Sequence, residues 1–220
     1  TITNQTNGCT TAETTEVTGD ADLPIADAGA PQNLDCITVN LDLDGQSSSQ
    51  GNNFTYQWST SDGNIVSGDQ TLTPQVNTGG TYVLVVTNTN NDCTATAGVT
   101  IPQDTNLPNA DAGLPAEINC LNLTEILDGE NSSQGTEFVY NWTTADGNIL
   151  NGANTLTPEV DSGGTYILTI TNQNNNCVSE DTVLIAQNLD MPISDAGSPS
   201  ELNCDIETLN LDGTNSSTGI

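Results

Sequence analysis

The chain has 220 residues, of which 29 are Asp or Glu, and it contains no Lys, Arg or His. This composition excludes nucleic acid as a partner, because phosphate binding depends on Lys and Arg, and it argues against insertion into, or binding to, an anionic membrane surface. No side-chain salt bridge can form, so the carboxylates are either balanced by cations from solution or simply solvated.

The composition also argues against an enzyme. Without His or Lys, acyl transfer lacks its general base and Schiff-base chemistry lacks its amine. Two carboxylates can hydrolyse a glycoside, but a tandem array repeats its loops and does not build one cleft. We therefore expect no catalytic residues.

The sequence repeats itself every 84 residues, as the spacing of Pro24, Pro108 and Pro192 shows. The cysteines follow the same period in two sets, which are Cys9, Cys93 and Cys177, and Cys36, Cys120 and Cys204. Self-similarity of this regularity is typical of a tandem array of small domains.

The repeat boundaries follow from this alignment. We expect two complete repeats, at 23–106 and 107–190. Residues 1–22 align with the end of a repeat and residues 191–220 with the beginning of one. The sequence therefore predicts a segment of a longer array.

In the repeat at 23–106, the first predicted elements are two short strands. Residues 33–36 form the first, and residues 39–43, in which Val39, Leu41 and Leu43 alternate with polar residues, form the second. A loop rich in Ser, Gln, Gly and Asn then leads to the next strand.

The strand at 54–60 carries most of the aromatic area of the repeat. Phe54, Tyr56 and Trp58 alternate with polar residues, which predicts a strand with one buried face. The same pattern returns at 138–144. The aromatic residues that we expect in the two cores are Tyr56, Trp58, Tyr82, Tyr140, Trp142 and Tyr166.

Four further strands complete the repeat. Residues 64–66 and 71–76 are the weaker pair, and Pro74 marks an edge or a bulge. Residues 81–88 are the strongest β segment, and 93–101 form the last strand. Seven short strands separated by turns predict an all-β sandwich in each repeat, and a repeat of this length can bury a small core of its own.

Two regular cysteine pairings are compatible with the period, and either would indicate an oxidising compartment. The first stays within repeats and joins Cys36 to Cys93 and Cys120 to Cys177, which leaves Cys9 and Cys204 to partners in repeats beyond residues 1–220. The second joins Cys93 to Cys120 and staples neighbouring repeats. We favour the first, because the last strand carries the chain away from Cys93 before the next repeat begins.

Several short motifs together resemble a known family. They are Ala-Asp-Ala-Gly (26–29), Leu-Asp-Gly-x-x-Ser-Ser (43–49), Tyr-x-Trp (56–58), Gly-Thr-Tyr-x-Leu-x-Val-Thr-Asn (80–88) and Asn-x-Cys (91–93). This pattern resembles the PKD-like and immunoglobulin-like repeats of giant surface proteins that gliding bacteria export by type IX secretion. The resemblance implies tandem Ig-like/PKD-like sandwiches, an extracellular location at the cell surface, and a role in gliding adhesins or grappling-hook fibres.

Two functions are compatible with this pattern. The leading one is a structural segment of an extracellular filament or giant adhesin, with identical chains packed laterally or as a homo-oligomer, and with another cell surface or a substratum as the outer partner. The alternative is a binding module whose loops grip a glycan or a protein. A shaft predicts equivalent loops in every repeat, and the loop at 46–53 matches the one at 130–137 in length and type, which favours the shaft.

Recurring acids suggest calcium as a cofactor. Acids at the repeat heads, after the aromatic strand and in the linkers are expected to converge near the repeat junctions, where hard oxygen ligands suit calcium. Asp-Gly pairs also make ordinary turns, which is the competing explanation. The candidate calcium ligands are Asp20, Asp27, Asp44, Asp62, Asp104, Asp111, Asp128, Asp146, Asp190, Asp195 and Asp212.

Overall fold

The computed structural model describes residues 1–218, which form strands and turns and no helix. Over this range there is accordingly no helix that could span a membrane. The chain divides into two compact units. The first consists of Thr1–Asn106 together with Asn175–Cys177, and the second of Leu107–Asn174 together with Val178–Ile220.

The first unit contains one antiparallel pair and one β-sandwich. The pair is β1 (Ile2–Thr3) with β2 (Thr10–Thr11). The strands of the sandwich are β3 (Leu41–Asp42), β4 (Phe54–Thr60), β5 (Asn64–Ser67), β6 (Gln75–Thr78), β7 (Gly80–Asn88) and β8 (Cys93–Ile101). They form two sheets, in the orders β4-β7-β8 and β3-β6-β5.

The repeat at 107–190 has the same architecture with one strand more. Its strands are β9 (Ala116–Asn119), β10 (Glu125–Ile126), β11 (Phe138–Thr144), β12 (Ile149–Asn151), β13 (Glu159–Val160), β14 (Gly164–Asn172) and β15 (Cys177–Asn188). The two sheets have the orders β11-β14-β15-β9 and β10-β13-β12. Each complete repeat is therefore a β-sandwich, as the strand pattern predicts.

Alternation along the long strands builds each core. In β7, Tyr82, Leu84 and Val86 are buried while the residues between them are more exposed. In β8, burial falls on every second residue and ends on Val99 and Ile101. One sheet thus turns a continuous apolar face towards the other.

The expected aromatic residues divide into two groups. Trp58, Tyr82, Trp142 and Tyr166 are buried, each with at most 2% of its surface exposed. Tyr56 and its counterpart Tyr140 are half-buried against the cores, and their hydroxyls donate to the carbonyls of Ser49 and Ser133. A polar tip on a largely apolar ring explains this position at the edge of the core.

The predicted strand at 71–76 is found later in the chain, at Gln75–Thr78. Residues 68–74 form a turn, in which the Thr71 hydroxyl and amide both donate to the Gly68 carbonyl. Strand β6 begins only at Gln75, directly after Pro74. Since proline has no amide proton to donate to a neighbouring strand, the ladder starts beyond it.

The predicted first strand is short and runs parallel to the last one. In the second repeat, β9 pairs with β15 from Ala116 opposite Ile185 to Asn119 opposite Asn188. In the first repeat only one parallel bridge forms, between Leu34 and Gln103. The residues that follow this segment therefore lie near the carboxyl end of the last strand.

Candidate functional site

The acids at the head of each repeat build turns. Asp27 accepts a hydrogen bond from the Gly29 amide at 2.7 Å, and Asp44 accepts one from the Gln46 amide at 3.1 Å. Ser48 joins the two turns, because its hydroxyl accepts from the Asp27 amide and donates to the Asp27 carbonyl, while its own amide donates to the Gly45 carbonyl. Each carboxylate thus caps a backbone amide two residues ahead.

The same turns recur at the other two repeat heads. The carboxylates of Asp111 and Asp195 accept from the amides of Gly113 and Gly197, and those of Asp128 and Asp212 accept from the amides of residues 130 and 214. For Asp212, hydrogen bonds from the Thr214 side chain and backbone lower the pKa, and for Asp195 the Gly197 amide and then Asn215 do so. The shared geometry assigns a structural role to these acids.

Glycine is required where the two head turns meet. Gly29 has a φ of +76°, and a Cβ at this position would collide with the backbone carbonyl of Asp44. Gly113 and Gly197 repeat both features against Asp128 and Asp212. The structure therefore brings each Asp27-type turn against the backbone of its Asp44-type partner.

The acid after the aromatic strand links two elements. Asp62 accepts from the Thr81 amide at 2.9 Å and from the Thr60 hydroxyl at 3.2 Å, which ties the turn after β4 to the start of β7. Asp146 makes the same bonds to Thr165 and Thr144. These acids serve the fold of their own repeat.

The linker acids interact with the Asn-x-Cys turns. Asp20 accepts from the Asp22 amide and from Asn91, and these bonds lower its pKa in that order. At Asp104, one repeat period after Asp20, hydrogen bonds from the Asn106 backbone and then from Asn175 lower the pKa. Asn175 also donates to the Asn106 carbonyl. At Asp190, the backbone amide donates to the Asn188 side chain.

The candidate ligands do not form a preassembled metal site. Among residues 1–218, no three His, Cys, Asp or Glu side chains are grouped so that they could hold an ion. The turn-making role of the acids accounts for their recurrence at the repeat heads. Calcium binding stays a prediction, and its test is given below.

The disulfide differs from the predicted pairing. Cys36 is bonded to Cys177, with their Cα atoms 5.0 Å apart, whereas Cys93, Cys120, Cys9 and Cys204 are free thiols. Cys36–Cys93 and Cys120–Cys177 are therefore wrong as pairs, and the alternative pair Cys93–Cys120 is not formed either.

The parallel first strand explains this correction. The Leu34 amide donates to the Pro102 carbonyl, so Cys36 lies beyond the carboxyl end of β8. Cys93 opens β8 at its amino end. At about 3.4 Å per residue, the strand places some 30 Å between them, and disulfide geometry needs Cα atoms within about 7 Å. The direction of the last strand, which carries the chain away from Cys93, therefore excludes the pair Cys36–Cys93 because Cys36 lies at the other end of that strand.

The bonded cysteines lie in a dense set of polar contacts inside the first unit. The Cys36 amide donates to the Asn175 carbonyl, and Asn176 donates to Asp35 at 2.9 Å. The Thr38 amide, then Asn176, lowers the pKa of Asp35. Asn175 and Cys177 are almost completely buried, at 1% and 0% exposed.

Sequence reasoning overlooked this pairing because it considered only separations of 57 and 27 residues. The observed separation is 141 residues, which is one period of 84 plus 57 and is equally regular. The pairing is decided by the parallel orientation of the first strand, which leaves no trace in local alternation.

Comparison with known families gives one match. Residues 21–102 match the family model described as PKD domain, and this segment includes nearly all of the first complete repeat. No curated protein sequence matches the chain.

Solved structures give several distant likenesses. Domains 3–5 of the Drosophila OTK ectodomain are 15% identical with a TM-score of 0.34, Drosophila N-cadherin EC1-4 is 9% identical with 0.38, and the N-terminal eight Ig domains of Down Syndrome Cell Adhesion Molecule are 13% identical with 0.39. Each match covers 76% of this chain. The chain spans 60%, 50% and 25% of those proteins, respectively.

Proposed function

We propose that this chain is a structural segment of an extracellular filament or giant cell-surface adhesin, built from tandem PKD-like sandwiches. The observation that carries the proposal is the covalent bond between Cys36 and Cys177, residues that belong to successive sequence repeats. A bond of this kind resists separation of the repeats, which suits a shaft under load better than a set of independent binding modules.

Equivalent loops support the same proposal. In the loop after β3, Gln50 donates to the Gln46 carbonyl, and Thr89 donates its amide to the Asn53 carbonyl. Gln134 and Gln173 make the corresponding bonds, to Glu130 and Glu137, in the second repeat. A ligand-gripping loop is expected to diverge between repeats, whereas these loops keep one conformation.

The disulfide and the family match favour an oxidising, extracytoplasmic location. Within the proposal, the chain is exported by type IX secretion, packs against identical chains laterally or as a homo-oligomer, and reaches another cell or a substratum. The acidic surface keeps such repeats soluble until they assemble.

Immunogold electron microscopy of intact cells tests this function. An antibody raised against residues 1–220 should label filaments or fibrils that project from the cell surface, with gold along their length. Cells that lack a type IX secretion component should lose the surface label. Label restricted to the cell interior, or a diffuse single layer at the envelope without filaments, would refute the proposal.

Calcium binding can be tested on the chain itself. We expect chelator-treated protein to bind calcium with a dissociation constant of about 10⁻⁴ to 10⁻³ M, as extracellular modules do, and isothermal titration calorimetry measures it. Asp111→Asn should weaken binding. The matched control is Asp69→Asn, since this acid is replaced by Ala153 in the next repeat. Absence of binding heat, with identical small-angle scattering in calcium and in chelator, would leave the acids as turn formers only.

A further inference from the structure

The four free cysteines lie in the same local structures as the two bonded ones. We define the head loops as residues 35–38, 119–122 and 203–206, and the tail turns as residues 7–9, 91–93 and 175–177. Each head loop carries one cysteine of the Cys36 set, and each tail turn carries one of the Cys177 set. The bond between Cys36 and Cys177 joins the first head loop to the last tail turn.

The three head loops share one conformation. In the first, Asp35 accepts from the amides of Ile37 and Thr38. Asn119 accepts from the amides of residues 121 and 122, and Asn203 from those of residues 205 and 206. Cys120 and Cys204 are therefore presented as Cys36 is, although they are exposed and Cys36 is half-buried.

The three tail turns also share one conformation. In each, the cysteine amide donates a hydrogen bond to the side-chain oxygen of the asparagine two residues before it, at 3.0 to 3.1 Å. The middle residue is left-handed in each, with φ of 71° at Gly8 and 55° at both Asp92 and Asn176. The turn geometry is thus formed whether or not the cysteine is bonded.

Burial separates the bonded tail turn from its unbonded counterpart. Asn175 and Cys177 are almost completely buried under the first head loop. Asn91 and Cys93, with the same internal hydrogen bond, remain only half-buried. The turn at 91–93 thus has the same conformation as the turn at 175–177, but no head loop packs over it in residues 1–218.

We propose that the array is closed by a ladder of disulfides, in which each head-loop cysteine bonds to the tail-turn cysteine 141 positions later. Cys120 and Cys204 then take as partners the tail turns of further copies of this repeat, and Cys93 and Cys9 take the head loops of earlier copies. Of the disulfides in this ladder, Cys36–Cys177 is the one for which both cysteines lie within residues 1–220. This pairing does not depend on the filament proposal.

The chemistry is ordinary thiol–disulfide exchange. Two cysteine thiols lose two protons and two electrons as the new S–S bond forms, and a disulfide oxidant is reduced to two thiols through a mixed disulfide. Exposure of the head-loop cysteines gives such an oxidant access before the tail turn of the next copy covers them.

An extended chain tests the ladder. Residues 137–190 are appended after Ile220, so that the head at 191–220 is completed to a full repeat with its own tail turn. After oxidative folding, free thiols are alkylated under denaturing, non-reducing conditions and counted by mass spectrometry. The original chain should show four alkylated cysteines. The extended chain, with one cysteine more, should show three, because Cys120 and the appended cysteine both disappear from the count.

Peptide mapping and one variant make the result specific. Digestion at Asp and Glu should yield a peptide that links Cys120 to the appended cysteine, beside the one that links Cys36 to Cys177. With Cys120→Ser, the count in the extended chain should return to four. Five alkylated cysteines, a link from Cys120 to Cys93 or Cys177, or disulfide-bonded dimers on a non-reducing gel would each overturn the ladder. Absence of the Cys36–Cys177 peptide from the original chain would overturn its premise.

Discussion

Replacing Trp58 with alanine should destabilise the first repeat by about 3–5 kcal/mol, the range for truncation of a buried aromatic residue. The indole is 1% exposed, and its Nε1 donates to the Thr71 carbonyl at 2.9 Å. The substitution leaves a cavity against Leu84 and removes the partner of that carbonyl. Since a small domain has only about 5–15 kcal/mol of stability, much of the repeat should unfold in mild denaturant.

Urea titration measures the effect, because the chain has only two tryptophans. In Trp58→Ala, circular dichroism should show an early transition, while the fluorescence of Trp142 reports on the second repeat. Trp142→Ala should give the mirror result. The matched control is Ser59→Ala, an exposed neighbour on the same strand, which should leave the midpoints in place. An unchanged midpoint in Trp58→Ala would show that the core is not organised around this residue.

Loss of the disulfide should have an effect of similar size. The bond closes a loop of 141 residues, and the chain-entropy treatment assigns about 5 kcal/mol to closure of such a loop. We expect the double substitution Cys36→Ser with Cys177→Ser to lower the urea midpoint markedly. Changing both residues avoids a new thiol that could mispair.

Reduction provides the internal comparison for that experiment. Dithiothreitol should shift the parent chain to the midpoint of the double variant and should not shift the double variant further. Cys120→Ser, which removes an exposed free thiol, should leave stability unchanged. Equal midpoints for the oxidised parent and the double variant would mean that the bond contributes nothing to the folded state.

The core could be predicted from the sequence because its signal is local. Alternation of Phe54, Tyr56 and Trp58 with polar residues defines the buried face of β4, and the same period marks Tyr82 and Leu84 in β7. Side chains on a strand point alternately to opposite faces, so no knowledge of the partner strands is needed. The 84-residue period then transfers each assignment to the second repeat.

The disulfide could not be predicted in the same way because it depends on non-local strand order. Whether Cys36 lies near Cys93 or far from it is decided by the parallel bridge between Leu34 and Gln103. Parallel and antiparallel neighbours have the same side-chain alternation, so the sequence of 33–36 is compatible with both.

The acids illustrate a different limit. The sequence shows that Asp27 and Asp44 recur at the head of every repeat. Two physical causes can produce such recurrence, namely ligand binding and turn formation. The structure shows that both carboxylates cap backbone amides within their own turns. Local hydrogen bonding is therefore sufficient to explain their spacing, and only a titration can reveal a cation as well.

The bond between Cys36 and Cys177 also changes how the chain responds to a pulling force. Because the covalent path crosses directly from one sulfur to the other, the segment between Cys36 and Cys177, with a sequence separation of 141, cannot be drawn out even if it unfolds. At about 3.4 Å per residue, the bond thus prevents extension of a segment whose fully stretched length is some 480 Å.

In an array closed by the proposed ladder, the shortest covalent route leaves one rung at Cys177 and enters the next at Cys204, only 27 residues on. Fully stretched, the covalent route through two repeats would then measure about 90 Å in total, against about 570 Å for an unbridged chain. Such a fibre would transmit a sudden pull almost without stretching, and reduction would turn it into an extensible, energy-absorbing tether.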